Sequence, residues 1–193
     1  MKRRDFLSLL RLFPATAVIN VLGGCSTSKE EKTVSNLVFF KSLDFEDGIR
    51  VVVDTFQRFP LQYAATLGRD GDAQIRPLEF KFEDDGVLYF DTVEYYESYA
   101  ELQAHPYIQV CICDQETMTY VRLGGKVNFT KDQSVIDRCF EASPVLTSQF
   151  GSNREKVIGY YLTEAWAEFV SFSEELPNHK YDLPNKYDTE AAQ

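Results

Sequence analysis

Apolar residues recur along this chain with two periods, and each change of period marks a new element. Between Ser42 and Phe59, Ile49, Val52, Val53 and Phe56 fall at helical spacing and Pro60 ends the run, which predicts one amphipathic helix leading into a sheet. From Leu61 the period drops to two. Leu61 to Gly68 reads as a strand, Arg69-Asp70-Gly71-Asp72 as a hairpin turn and Ala73 to Phe82 as the returning strand. Glu83-Asp84-Asp85-Gly86 repeats the device before a third strand, Val87 to Phe90, so this half reads as an antiparallel meander.

Helical spacing returns with Tyr95, Tyr99 and Leu102, for which Thr92 is the expected N-cap and His105-Pro106 the stop. A fourth strand follows around Ile108, Val110 and Ile112. A fifth, Thr119 to Phe129, carries Gly124-Gly125, which predicts a bulge or bend where a sheet curls. Ile136, Cys139 and Phe140 give another helical face from about Gln133, interrupted or restarted at Pro144. Val157 to Phe172 is the last strand, with a turn or bulge near Thr163-Glu164. The polar stretch from Glu174, with Pro177 and Pro184, reads as a tail that lies over a partner or stays mobile. Six or seven antiparallel strands with two or three helices predict a small barrel, since an open sheet of this length would expose apolar edges.

The length, 193 residues, is that of one domain, and a 44% hydrophobic content supplies a core. The first 25 residues stand apart. Lys2, Arg3 and Arg4 precede Asp5-Phe6-Leu7, and a modest apolar run, too short and interrupted to span a membrane, leads to Leu22-Gly23-Gly24-Cys25. This resembles a twin-arginine export signal ending in a lipoprotein cleavage site; the other reading is an amphipathic helix opening a cytosolic domain. The resemblance implies a signal over residues 1–24, a lipid on Cys25, a polar tether over residues 25–41, a folded domain over 42–173 and a tail over 174–193. The protein would then sit in the cell envelope, outside the cytoplasmic membrane and attached to it only through the anchor.

Charge narrows the partners. The formal net charge is -10, and without residues 1–24 it becomes -13, from 16 basic and 29 acidic residues. Nucleic acid and anionic lipid surfaces would repel such a chain, so any anionic ligand must meet a local basic site. Arg76 and Lys81 are candidates, but they are five apart. A regular strand puts them on opposite faces, and only a bend, marked by Pro77, lets both reach one anion.

Cys111, Cys113 and Cys139 do not form the even set of a disulfide scaffold and read as buried small apolar residues, with neither His105 nor His179 at zinc-ligand spacing from them. Asp84-Asp85 reads as a solvated turn, His105 as a cap, and Trp166 as core or as the cover of a bound ring. With no Ser-His-Asp order or phosphate-binding glycine loop, no catalytic or metal-binding residue is assigned.

The order of these pieces carries a second resemblance. Phe59-Pro60, Ile75-Arg76-Pro77-Leu78, Leu88-Tyr89-Phe90-Asp91-Thr92, Leu102 to Pro106 and Tyr120-Val121-Arg122-Leu123-Gly124-Gly125-Lys126-Val127 resemble, over roughly Leu43 to Phe172, the pyridoxamine-phosphate-oxidase-like family of flavin-binding split barrels. The resemblance implies a six-stranded antiparallel split β-barrel with flanking helices, a homodimer with FMN at the subunit interface, and oxidoreductase chemistry on a small-molecule substrate. It implies cofactor contacts from Arg76, Pro77, Leu78, Lys81, Thr92 and Ser98. The sequence departs from the family at Tyr95-Tyr96-Glu97-Ser98, where members commonly carry Lys or Arg, and Glu94 and Glu97 would repel a phosphate unless they point away. Alternatives are a deazaflavin, a non-catalytic flavin- or haem-binding lipoprotein, and a cofactor-free dimer. Oxidation of pyridoxamine phosphate itself needs a further basic site, which the acidic tail does not offer.

Overall fold

The computed structural model describes residues 35–188. The export signal and Cys25 lie outside the described residues, as do residues 189–193 of the tail. The elements run α1 (Asn36–Lys41), α2 (Gly48–Arg58), β1 (Gln62–Leu67), β2 (Ala73–Leu78), β3 (Phe82–Asp84), β4 (Val87–Val93), α3 (Glu97–Ala104), β5 (Tyr107–Asp114), β6 (Thr119–Thr130), α4 (Gln133–Ala142), α5 (Pro144–Phe150), β7 (Val157–Ser171) and β8 (His179–Leu183).

The strands form one antiparallel sheet ordered β2-β1-β5-β6-β7-β4-β3, with β8 added to β7. This is the expected mainly β split barrel with flanking helices. The sheet has eight strands where six or seven were expected: β3 is a three-residue strand and β8 comes from the stretch read as a tail. Apolar anchorage explains β8. Leu183 is buried, His179 stacks on Phe45 at 5.3 Å and Tyr181 Oη donates to the Phe45 carbonyl at 3.1 Å. Asn36–Lys41, placed by sequence in a tether, is likewise helix α1, because Phe40 is buried and stacks on Phe59.

The meander is not formed. β2 and β3, neighbours in sequence, stand at opposite ends of the sheet, so Glu79 to Lys81 carry the chain across the gap that splits the barrel. Gln62, fully buried, fastens this crossover. Its Nε2 donates to the carbonyls of Phe56 at 3.1 Å and Phe59 at 2.5 Å, and its Oε1 accepts from the Phe80 amide at 2.7 Å. The β3–β4 turn uses Asp85 and Gly86 at φ of 52° and 77°, the left-handed pair that a two-residue hairpin requires.

Phe56, Phe90, Leu123, Tyr160, Leu162 and Phe169 lie in the main core, while Ile136, Cys139, Phe140, Leu146 and Val157 form a smaller cluster under α4 and α5. The predicted bulge falls between Gly124 and Lys126, opposite β7. Gly124 is required there: a Cβ would lie 2.4 Å from the Trp166 ring. Only Cys139 is buried as expected. Cys111 is half-buried and Cys113 exposed, because alternation on β5 gives the inner face to Ile108, Val110 and Ile112; all three thiols are free. Thr92 is not a helix cap. It lies in β4 opposite Ile158, and α3 starts at Glu97 with Tyr96 at its N-cap. Among the described residues no helix is long and apolar enough to cross a membrane.

Candidate functional site

The split leaves a cavity of about 400 Å³, within the size range of small-molecule pockets. Arg76, Pro77 and Leu78 reach it from β2, Lys81 from the crossover, Thr92 from β4 and Ser98 from α3. All six residues named from the sequence therefore border one space. The bend that unites Arg76 with Lys81 is the crossover after Leu78, not Pro77, which stays in register opposite Tyr63.

The two cations share the cavity but do not converge on one point. Arg76 lies on the inner face of β2 opposite Ala64, whose small side chain leaves it room. Its Nη1 and Nη2 donate to Oε2 and Oε1 of Glu101 at 2.6 and 3.1 Å, and Nη1 also donates to Thr66 Oγ1 at 2.8 Å. Thr66 Oγ1 in turn donates to Glu101 Oε2 at 2.6 Å. The Arg76 hydrogen bonds, working against burial, hold the Glu101 carboxyl below the usual range.

Lys81 is deeper, its side chain only 4% exposed, with Nζ at 2.6 Å from Glu79 Oε2 and 3.1 Å from Asp91 Oδ1. Burial disfavours its charge, but the attraction of Asp91 and Glu79 outweighs that and raises its pKa. For Asp91 burial wins over Lys81 and raises the carboxyl pKa. Glu79 is held low because hydrogen bonds from Lys81 and Ser143 overcome its burial. Ser143 Oγ donates to Glu79 at 2.6 Å and accepts from the Leu146 amide at 3.1 Å, so the cap of α5 is tied to the lysine cluster.

α5 roofs the cavity with Val145, Leu146, Gln149 and Phe150, and Tyr96 meets the Phe150 ring edge-on at 6.3 Å. Ala64, Leu102 and Ile108 line the opposite apolar side, and the hydroxyls of Thr92 and Ser98 lie 3.2 Å apart. Tyr95 is exposed, and Trp166 lies outside this cavity, under the guanidinium of Arg122 at 5.1 Å.

Sequence reasoning missed Glu79, Asp91, Glu101 and Ser143 as site residues, and it gave α5, legible as a restart at Pro144, no part in the site. The acids it flagged as repulsive are paired elsewhere, Glu94 with Lys156 at 2.6 Å and Glu97 with Arg69 at 3.1 Å. Size and lining fit a flat ring. A dianionic phosphate does not fit, because each cation in the cavity already holds a carboxylate, and displacing one charged hydrogen bond costs about 1.5–3 kcal/mol.

No curated protein matches this sequence. Among solved structures, a NimC/NimA family protein from Clostridium acetobutylicum is similar with a TM-score of 0.63 at 20% identity, over 71% of this chain and 93% of that one. A protein from the same organism related to general stress protein 26 of B. subtilis, of the pyridoxinephosphate oxidase family, gives 0.58 at 12% identity, over 73% and 97%. A heme binding protein from Mycobacterium smegmatis gives 0.52 at 13% identity, over 64% and 52%. At these identities the likeness is one of fold. The family model described as pyridoxamine 5'-phosphate oxidase matches residues 50–155, which contain β1 to β6 and five of the six strands expected of the barrel, and the chain belongs to that family.

Proposed function

We propose that this protein is an oxidoreductase that holds a flavin-class ring in the cavity of the split barrel and acts on a small-molecule substrate. One observation carries the reading: six residues named for cofactor contact, from separate segments, line a single cavity of ligand size. A bound flavin supplies the hydride or electron transfer. FMN and a deazaflavin present a similar flat ring, and the reading covers both.

The chain's own part is binding and orientation. Leu78, Leu102, Ile108 and Leu146 offer apolar walls, and Tyr96 with Phe150 offers an aromatic corner. Lys81 gives two of its three N–H groups to carboxylates, which leaves the third for a carbonyl on the ligand. The carboxylates of the cavity are all engaged in ion pairs, which suits chemistry that resides in the cofactor. A haem in the same space is less well supported. None of the lining residues is His, Cys or Met, and burial raises the Tyr160 phenol far above its usual range, away from the phenolate a metal would need.

The reading includes a homodimer and an envelope location. The outer face of β1, β2 and β5 carries Tyr63, Leu67, Ile75 and Tyr107 at 52%, 41%, 72% and 57% exposure, an apolar surface suited to a second copy. The lipid anchor at Cys25 rests on the sequence pattern alone.

The test is an absorbance and fluorescence titration of the purified chain with flavins, followed by addition of a nicotinamide donor. Quenched flavin fluorescence and donor-dependent bleaching of the flavin band are expected. A chain that neither retains nor quenches any flavin would sink the reading and favour a cofactor-free dimer.

A further inference from the structure

The charges of the cavity say which form of flavin it takes. Arg76 is matched by Glu101, and Lys81 by both Glu79 and Asp91, so these five groups carry one more carboxylate than cation. At the rim the exposed Lys131, near Glu94, lies outside the cavity lining, and two further cations are paired. Arg69 is paired with Glu97 and Lys156 with Glu94. The first turn of α3, whose free N–H groups would favour an anion, carries Glu97 itself. Beyond these ion pairs the cavity offers a polar ligand the two hydroxyls of Thr92 and Ser98, the Gln149 amide, and the third N–H of a lysine whose charge is already balanced.

Resting on the flavin reading, we infer that the cavity is selective for an uncharged flavin without a phosphate, a riboflavin-class ligand, and discriminates against FMN. The ribityl hydroxyls of such a ligand match the Thr92 and Ser98 hydroxyls, which both donate and accept. A terminal phosphate would have to displace Glu101 from Arg76, leaving a carboxylate that is only 7% exposed without its partner, or stand beside a lysine already holding two anions. Both routes weaken FMN and leave riboflavin untouched.

The test is fluorescence titration of the purified chain with lumiflavin, riboflavin and FMN in one buffer at neutral pH. Riboflavin is expected to bind at least about tenfold more tightly than FMN, with lumiflavin, which has the ring alone, between them or close to riboflavin. Ser98→Lys adds an ammonium beside Thr92 and is expected to tighten FMN relative to lumiflavin by about tenfold. FMN binding as tightly as riboflavin, or co-purifying and surviving desalting, overturns this inference and leaves the flavin reading standing. Failure of all three ligands to bind overturns both.

Discussion

The cavity's two ion clusters use the same ingredients at different depths. Lys81 sits among Glu79 and Asp91 with almost no access to solvent, whereas Arg76 meets Glu101 in a bidentate pair with its own side chain 29% exposed. In the deep cluster burial raises Asp91 and opposes Lys81; in the shallow one hydrogen bonding dominates and lowers Glu101. The deep cluster is therefore a structural joint between crossover, β4 and α5, which breaks badly, and the shallow one is an adjustable wall.

The largest effect is expected at the joint. Lys81→Met leaves two carboxylates facing each other under α5 and should cost about 3–5 kcal/mol in urea denaturation; a loss below about 1 kcal/mol would erase the distinction. Arg76→Ala strands Glu101 and should cost about 1.5–3 kcal/mol at pH 7. The pH dependence sharpens this. Glu101 has a folded pKa below its unfolded value of 4.5, so the stability due to the pair is present above that value and lost as pH falls through the folded pKa. The gap between wild type and Arg76→Ala should accordingly be widest at neutral pH and close in acid, measured by denaturation at pH 7, 5 and 3. Asp91, raised above 3.8, has the opposite sign: its ionisation weakens the fold as pH rises through its folded pKa, and Asp91→Asn should remove that pH dependence in the same denaturation series. The smallest effect belongs to the exposed rim pair, where Arg69→Ala should change stability by no more than about 1 kcal/mol.

Much of the shape is legible from local chemistry. Asp85-Gly86 supplies the left-handed turn, Gly124 the space under Trp166, Pro144 the first turn of a new helix. These are signals a few residues long. The partners of the site are not of that kind. Glu101 lies 25 positions from Arg76, and Ser143 lies 64 from Glu79, so only the fold brings them together. Asp91 stood inside the recognised Phe90-Asp91-Thr92 run, yet strand alternation alone did not reveal that it turns towards Lys81. The meander failed for the same reason: two hairpin signals in succession say that each pair of strands is antiparallel, and nothing about whether the pairs touch. β8 was hidden by polarity, since its exposed face dominates a five-residue strand.

The length of β7 has a consequence for synthesis. This one strand pairs with β6 along most of its course, with β4 through Val157–Tyr161 and with β8 through Ala165–Phe169. It is also made after β1 to β6, the strands it joins. Until it arrives, the β1–β2 and β3–β4 hairpins can form but have no common strand to hold them in one barrel, and β4 and β6 present open edges to any neighbouring chain. A nascent chain stalled before Val157 is thus a set of sticky pieces, and the sheet becomes one piece only when β7 is made.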